Sequence, residues 1–298
     1  VSIPVQVGQV ETINRVFSQA DFDRFAALSG DDNPIHVDPG FSARTKFGRT
    51  VAHGMFLYSV VCGLLGSRLP GPGTVQLEQE LMFPSATYTG EEVSVQVEVT
   101  QVDSAAKLAE LNTSIIRPDG KPGLQGKTLV RVPGAPKSLP PLDGQARQPV
   151  EHFSSTPFMG LEIGQRAGTR RSFSARDLAE YASLTGDANP VFTDAAYARQ
   201  QGLEGQIIPG GLLAGLFSYL LGTELPGRGT NYLKQRLEFP LPAYVDQEIA
   251  AHVEIVRIRP DKQLVNLETV CTNPAGKVVC QGEALVLVSD VGYDYGET

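Results

Sequence analysis

The chain has 298 residues, enough for two ordinary domains or one large one. Hydrophobic residues make up 41% and charged residues 19%, so a sizeable core can form and a disordered chain is excluded. Lys+Arg number 25 against 33 Asp+Glu, a net charge of −8 without a basic stripe, which excludes an ordinary nucleic-acid partner and leaves an anionic ligand only a local patch to bind.

The opening "VSIPVQVGQV" has no basic segment followed by an apolar one, so no signal peptide is expected. Ser18 starts a capping-box-like "SQAD", and Phe22, Phe25, Ala26 and Leu28 follow at helical spacing up to Gly30, a left-handed cap. A loop, "DDNPIHVDP", and a short helix around 40–46 come next. The stretch 54–69, "GMFLYSVVCGLLGSRL", is apolar nearly all round and predicts a buried helix too short to span a membrane. Strands are predicted over 74–83, 91–103, 106–117 and 124–132, and the alternation in "EVSVQVEVTQV" gives one buried and one wet face. A wholly apolar helix plus an antiparallel sheet predicts an α+β fold whose sheet curls around the helix.

The chain then repeats itself. "FAALSGDDNPIH" (25–36) matches "YASLTGDANPVF" (181–192) at 6 of 12 positions, and "GLLGSRLPGPGT" (63–74) matches "YLLGTELPGRGT" (219–230) at 8 of 12. Chance predicts about one match per dozen. Both windows share an offset of 156, which persists without gaps to Val132 and Val288. A duplication reads out: one domain over 1–132, a Pro/Gly-rich linker over 133–152, a second domain over 153–288 and a polar, frayed tail over 289–298. Two such copies are expected to pack as a pseudo-dimer.

The reactive groups concentrate in "SGDDNPIHVDP". Asp31 and His36 lie five residues apart across a turn stiffened by Pro34, and carboxylate beside imidazole is a serviceable acid/base pair near neutral pH. The same Gly-Asp and Asn-Pro steps are also ordinary turn chemistry. The second copy keeps Asp187, Asn189 and Pro190 but has Phe192 where the first has His36. One working site per chain, in the first copy, follows. In "AHGMF", Gly54 opens the buried helix, where unpaired amides at the positive dipole end suit an oxyanion; Gly210 at the matching place favours simple close packing. His53 matches Pro209, which points to a structural role. The four histidines (36, 53, 152 and 252) lack metal-ligand spacing, and Cys62, Cys271 and Cys280 form no CxxC pair, so neither a zinc site nor a disulfide framework is expected. A reducing, cytoplasmic setting fits. "GKPGLQGKT" is no phosphate loop, because Lys121 stands where glycine is required.

These motifs, "SGDDNPIHVDPGFSA" followed by "AHGMF", resemble the hydratase motif of MaoC-like enzymes, the (R)-specific enoyl-CoA hydratase family, over both copies. The resemblance implies a double hot-dog fold, as in the hydratase 2 group of multifunctional enzymes. It implies an acid/base role for Asp31 and His36, a supporting role for Asn33 and an oxyanion hole at the Gly54 amide. It implies fatty-acid metabolism, with reversible hydration of a trans-2-enoyl-CoA to an (R)-3-hydroxyacyl-CoA, no cofactor, and the CoA thioester as substrate. In the animal-type double hot dogs the working motif lies in the second half; here it lies in the first. Cys62 stands where many single-domain relatives carry Ser, which implies a weaker supporting hydrogen bond, and Ser218 holds that place in the second copy. An apolar pocket including Met55 and Phe56 is expected. For the CoA phosphates, "GRGTNYLKQRLEF" offers Arg228 and Lys234, whereas the matching "GPGTVQLEQELMF" has no base. Rival readings are a dehydratase acting on acyl carrier protein (ACP) or a mesaconyl-type CoA, a hot-dog thioesterase and a non-enzymatic thioester-binding subunit. A double hot dog could stand alone or pair again as a homodimer.

Overall fold

A computed structural model describes residues 5–132 and 157–291. The linker expected at 133–152, and all but three residues of the expected tail, lie outside the described residues.

The first copy runs β1 (Val10–Val16), α1 (Gln19–Ser29), α2 (Pro34–Val37), α3 (Pro39–Ala43), α4 (Gly54–Ser67), β2 (Val75–Met82), β3 (Glu92–Asp103), β4 (Leu108–Ile116) and β5 (Pro122–Arg131). The second runs β6 (Arg166–Ser172), α5 (Ala175–Thr185), α6 (Pro190–Thr193), α7 (Ala195–Gln200), α8 (Gly210–Tyr219) with a π turn over Leu220–Glu224, β7 (Asn231–Glu238), β8 (Glu248–Arg259), β9 (Leu264–Thr272) and β10 (Val278–Leu287). Each of these elements of the second copy begins 156 residues after its counterpart. The offset read from two short windows is therefore a property of the whole fold.

The helix starting at Ser18 and the four predicted strands form, with ends shifted by a few residues. Ser18 and Asp21 make a reciprocal capping box, and Gly30 closes α1 at φ +86°. Two features differ from expectation. The loop after Gly30 contains α2, one helical turn too short to show a period. The edge strands β1 and β6 are not marked in the sequence. Each pairs on one side only, β1 with β3 and β6 with β8, and "RAGTRRS" in β6 carries no apolar alternation.

All ten strands form one antiparallel sheet in the order β1-β3-β4-β5-β2-β7-β10-β9-β8-β6. The copies join at β2 and β7, where Glu80 pairs with Arg236, its own counterpart 156 positions on. A pseudo-twofold axis passes between these two residues. Within each copy the sheet packs against a buried helix: α4 against β1, β3, β4 and β5, and α8 against β8 and β10. Every residue from Met55 to Gly66 is buried. Phe25 and Phe56 stack at 5.2 Å, and each such buried side chain contributes about 1.5–3 kcal/mol. The helices α4 and α8 also pack against each other across the axis. This is an α+β double hot dog. Among the described residues no helix is long and apolar enough to cross a membrane.

Candidate active site

Local sequence builds the reactive loop. Asn33 caps α2, accepting from the Ile35 amide at 3.3 Å, with Pro34 in the first helical position. Asp38 caps α3 through the Phe41 amide at 2.9 Å. The resulting single turn carries His36 back toward Asp31. His36 Nδ1 donates to the Val51 carbonyl at 2.7 Å, which leaves Nε2 as a bare acceptor. Asp31 is 1% exposed, and its Oδ2 accepts from Ser218 Oγ, in α8 of the other copy, at 2.6 Å.

Atoms of Asp31, His36 and His53 able to bind a proton or metal lie within 4.8 Å of one another. One water oxygen, at about 2.8 Å from each of two acceptors, bridges groups up to about 5.6 Å apart. Asp31 and His36 are thus spaced to share a single water, and both line one cavity of about 260 Å³. His53 is fully buried. Its Nε2 donates to the Asp31 carbonyl at 2.9 Å, and its ring stacks on His36 at 3.8 Å and 30°. Imidazole lone pairs lie in the ring plane, so a metal shared by two stacked rings would sit out of plane for both. His53 thus buttresses the His36 ring and the Asp31 backbone.

Burial drives the ionisation of the pair. Desolvation pushes the Asp31 carboxyl above its ordinary value, opposed by His36, the Ser218 hydrogen bond and the Asn33 amide. Desolvation lowers His36, opposed by Asp31, so the imidazole is neutral at pH 7. His53 lies well below its ordinary value through burial and the nearby His36.

Asn33 spends both ends of its amide on structure: besides capping α2 it donates to the Gly222 carbonyl of the second copy at 3.1 Å. Gly54 lines the cavity at the first position of α4, where an amide has no carbonyl four residues back. A Cβ there would lie 2.9 Å from the Phe83 ring, and one at Gly210 would lie 2.7 Å from Phe239, so packing alone accounts for both glycines.

Several expectations are corrected. Met55 and Phe56 are fully buried in the aromatic and aliphatic core with Phe17 and Phe22, off the cavity; Leu57, on the opposite side of the turn, lines it. Cys62 is not in this site. The pseudo-twofold carries it to the other cavity, beside Asp187, and brings Ser218 to Asp31. The serine that seemed missing is supplied by the second copy. Arg228 is exposed and lines neither cavity. Lys234 is also exposed: β7 alternates, so Gln235 and Leu237 face in while Lys234 and Arg236 face a separate hollow on the outer side of the β2–β7 seam. The cation on the rim of the reactive cavity is Lys46, which had no motif to mark it. It pairs with Asp290 at 2.7 Å, so the start of the tail expected to fray is held against the first copy.

The sequence profile of the MaoC-like domain matches residues 4–116 and 159–273, one match in each copy. The (R)-specific enoyl-CoA hydratase of Aeromonas caviae is 41% identical over 129 residues, covering 43% of this chain and 96% of that protein. A 3-hydroxybutyryl-CoA dehydratase of Methylorubrum extorquens is 38% identical over 129 residues, covering 43% of this chain and 82% of that one. Over nearly its whole length the fold is similar to a double-hotdog protein of Mycobacterium tuberculosis, with a TM-score of 0.72 at 16% identity, covering 95% of this chain and 96% of that one.

Proposed function

The chain belongs to the MaoC-like domain family and is a hydratase/dehydratase, and from that premise we propose that it adds water reversibly to a trans-2-enoyl-CoA to give an (R)-3-hydroxyacyl-CoA. One observation carries the reading: a buried carboxylate and a neutral imidazole, spaced for one water, facing a cavity at the start of a helix.

The β-carbon of an enoyl thioester is electrophilic only when its carbonyl is polarised. The Gly54 amide, at the positive end of α4, would donate to the thioester oxygen as enolate charge develops. Asp31 and His36 hold the water between them. His36 Nε2, bare because Nδ1 is bonded to Val51, takes a proton as the water oxygen bonds to C3. The C2=C3 π pair shifts to form a C1=C2 bond, and the carbonyl π pair moves onto the thioester oxygen. His36 then returns its proton to C2 on the same face as the enolate collapses back to the thioester carbonyl, so addition is syn. Dehydration is the same path reversed, and equilibrium sets the direction.

The test is loss of absorbance at the enoyl-thioester band with crotonyl-CoA, longer enoyl-CoAs, mesaconyl-CoA and crotonyl-ACP, alongside assay of free thiol. We expect turnover of crotonyl-CoA without thiol release, and (R)-3-hydroxybutyryl-CoA as product. Thiol release instead would make the protein a thioesterase. Faster turnover of the ACP thioester would move the carrier assignment.

A further inference from the structure

Both copies together line a cavity of about 420 Å³ beside the Asp187 loop, the pseudo-twofold mate of the reactive one. Its volume lies within the range of about 300–1,000 Å³ usual for small-ligand sites. Counterpart by counterpart, its chemistry has been rewritten rather than filled in. Phe192 stands for His36, Val75 for Asn231 and Gly202 for Lys46, so the imidazole, a rim amide and the rim cation are gone. One change runs the other way: Leu287 of the reactive cavity is replaced by Arg131.

Arg131 ends β5, beside Val75 of β2. Its guanidinium is half-buried, burial draws its pKa down, and no acidic side chain among the described residues offsets that cost. A half-buried cation is expensive, and a ligand carboxylate would relieve it. Asp187, which also lines the cavity, has no imidazole beside it; burial pushes its carboxyl up to about 8, so that wall is uncharged at neutral pH. An uncharged, largely apolar space with one cation is complementary to an amphipathic anion.

We propose that this cavity is a second, non-catalytic ligand site that takes an aliphatic monocarboxylate, its carboxylate on Arg131 and its chain against Phe192 and Leu203. Without an imidazole the site binds and does not hydrate. It does not rest on the reaction proposed for the first copy.

Calorimetric titration of the full chain with octanoate tests this, read beside crotonyl-CoA turnover. We expect one octanoate per chain, undisturbed by saturating crotonyl-CoA. Arg131→Gln should weaken binding about tenfold or more, about 1.4 kcal/mol. Leu203→Trp, which places a large ring in the cavity, should abolish it. Neither residue lines the reactive cavity, so turnover in both variants should stay within about twofold of wild type, a difference of only about 0.4 kcal/mol. The absence of saturable binding up to about 1 mM octanoate, an affinity of only about 4 kcal/mol, would overturn the proposal. So would retained binding in either variant, or displacement of octanoate by crotonyl-CoA.

Discussion

The Ser218 hydroxyl of the second copy donates to Asp31 Oδ2 of the first, at 2.6 Å and across 187 positions of sequence. The candidate site is therefore composite. A copy that has lost its own imidazole still supplies a contact to the carboxylate of the other. It also supplies the Gly222 carbonyl that anchors Asn33. A Cβ at Gly222 would lie 3.1 Å from Asp31 Oδ1, so a side chain there would press on the Asp31 carboxylate.

From this contact, Ser218→Ala should lower kcat for crotonyl-CoA by about 10- to 100-fold. A hydrogen bond to a charged group contributes about 1.5–3 kcal/mol, and each 1.4 kcal/mol is about tenfold in rate. The hydroxyl also holds the Asp31 carboxyl down against burial, so its removal should move the acid limb of the pH–rate profile upward. A merely structural serine would leave that limb in place. Cys62→Ser, in the other cavity, should leave the rate within about twofold, below about 0.5 kcal/mol.

His36→Phe separates chemistry from packing. The second copy carries Phe192 at this place on the same one-turn helix, so the backbone accepts the ring. We expect kcat/KM to fall by about 10² to 10⁴-fold, the usual worth of acid/base catalysis. The melting temperature should move by only a few degrees, corresponding to about 1 kcal/mol for the lost bond to Val51. Near-wild-type rates would remove His36 from the mechanism.

The pH dependence follows from directions alone. The proposed mechanism needs Asp31 ionised and His36 neutral. Burial lowers His36 below its ordinary 6.5, so the imidazole stays neutral further into acid. Burial raises Asp31 above its ordinary 3.8, so the carboxylate is lost earlier on acidification than a solvated one. Both act on the acid side. kcat/KM should fall as pH drops, with apparent values that belong to the pair. A profile that fell on the alkaline side of neutrality through His36 would contradict the neutral-imidazole assignment.

Much of this molecule was legible in its sequence, and the reason is local. The Ser18 capping box, the apolar helix at 54–69 and the alternating strands depend on neighbours in the chain, and the 156-residue offset needs only the chain compared with itself. Asp31 and His36 were legible because five residues and a proline bring them together. Ser218 and Lys46 were not. Their places depend on a twofold axis that only appears once β2 meets β7, and reading each copy alone put Cys62 where Ser218 belongs. Lys234 failed for a simpler reason: β alternation sends it to the outer face, and charge composition carries no sidedness.

Asp187 offers the internal control for Asp31. The two aspartates occupy matching loops, and each accepts from the amide two residues on at 3.4 Å. Asp187 lacks both the imidazole and the serine, and burial lifts it from 3.8 to about 8. A folded-state pKa above the unfolded one means that the folded protein binds more protons across that interval, so stability falls as pH rises from about 4 to about 8. Each tenfold gap in proton affinity between the folded and unfolded chains is worth about 1.4 kcal/mol, so the penalty is on the order of several kcal/mol at alkaline pH. Asp187→Asn removes the charge and keeps the accepting oxygen. Relative to wild type it should therefore be neutral or slightly destabilised at pH 4 and progressively stabilised up to pH 8, as read by denaturant midpoints across pH. A difference that stayed flat over this range would mean that Asp187 ionises normally in the folded chain, and the second cavity would then present a charged wall rather than an uncharged one.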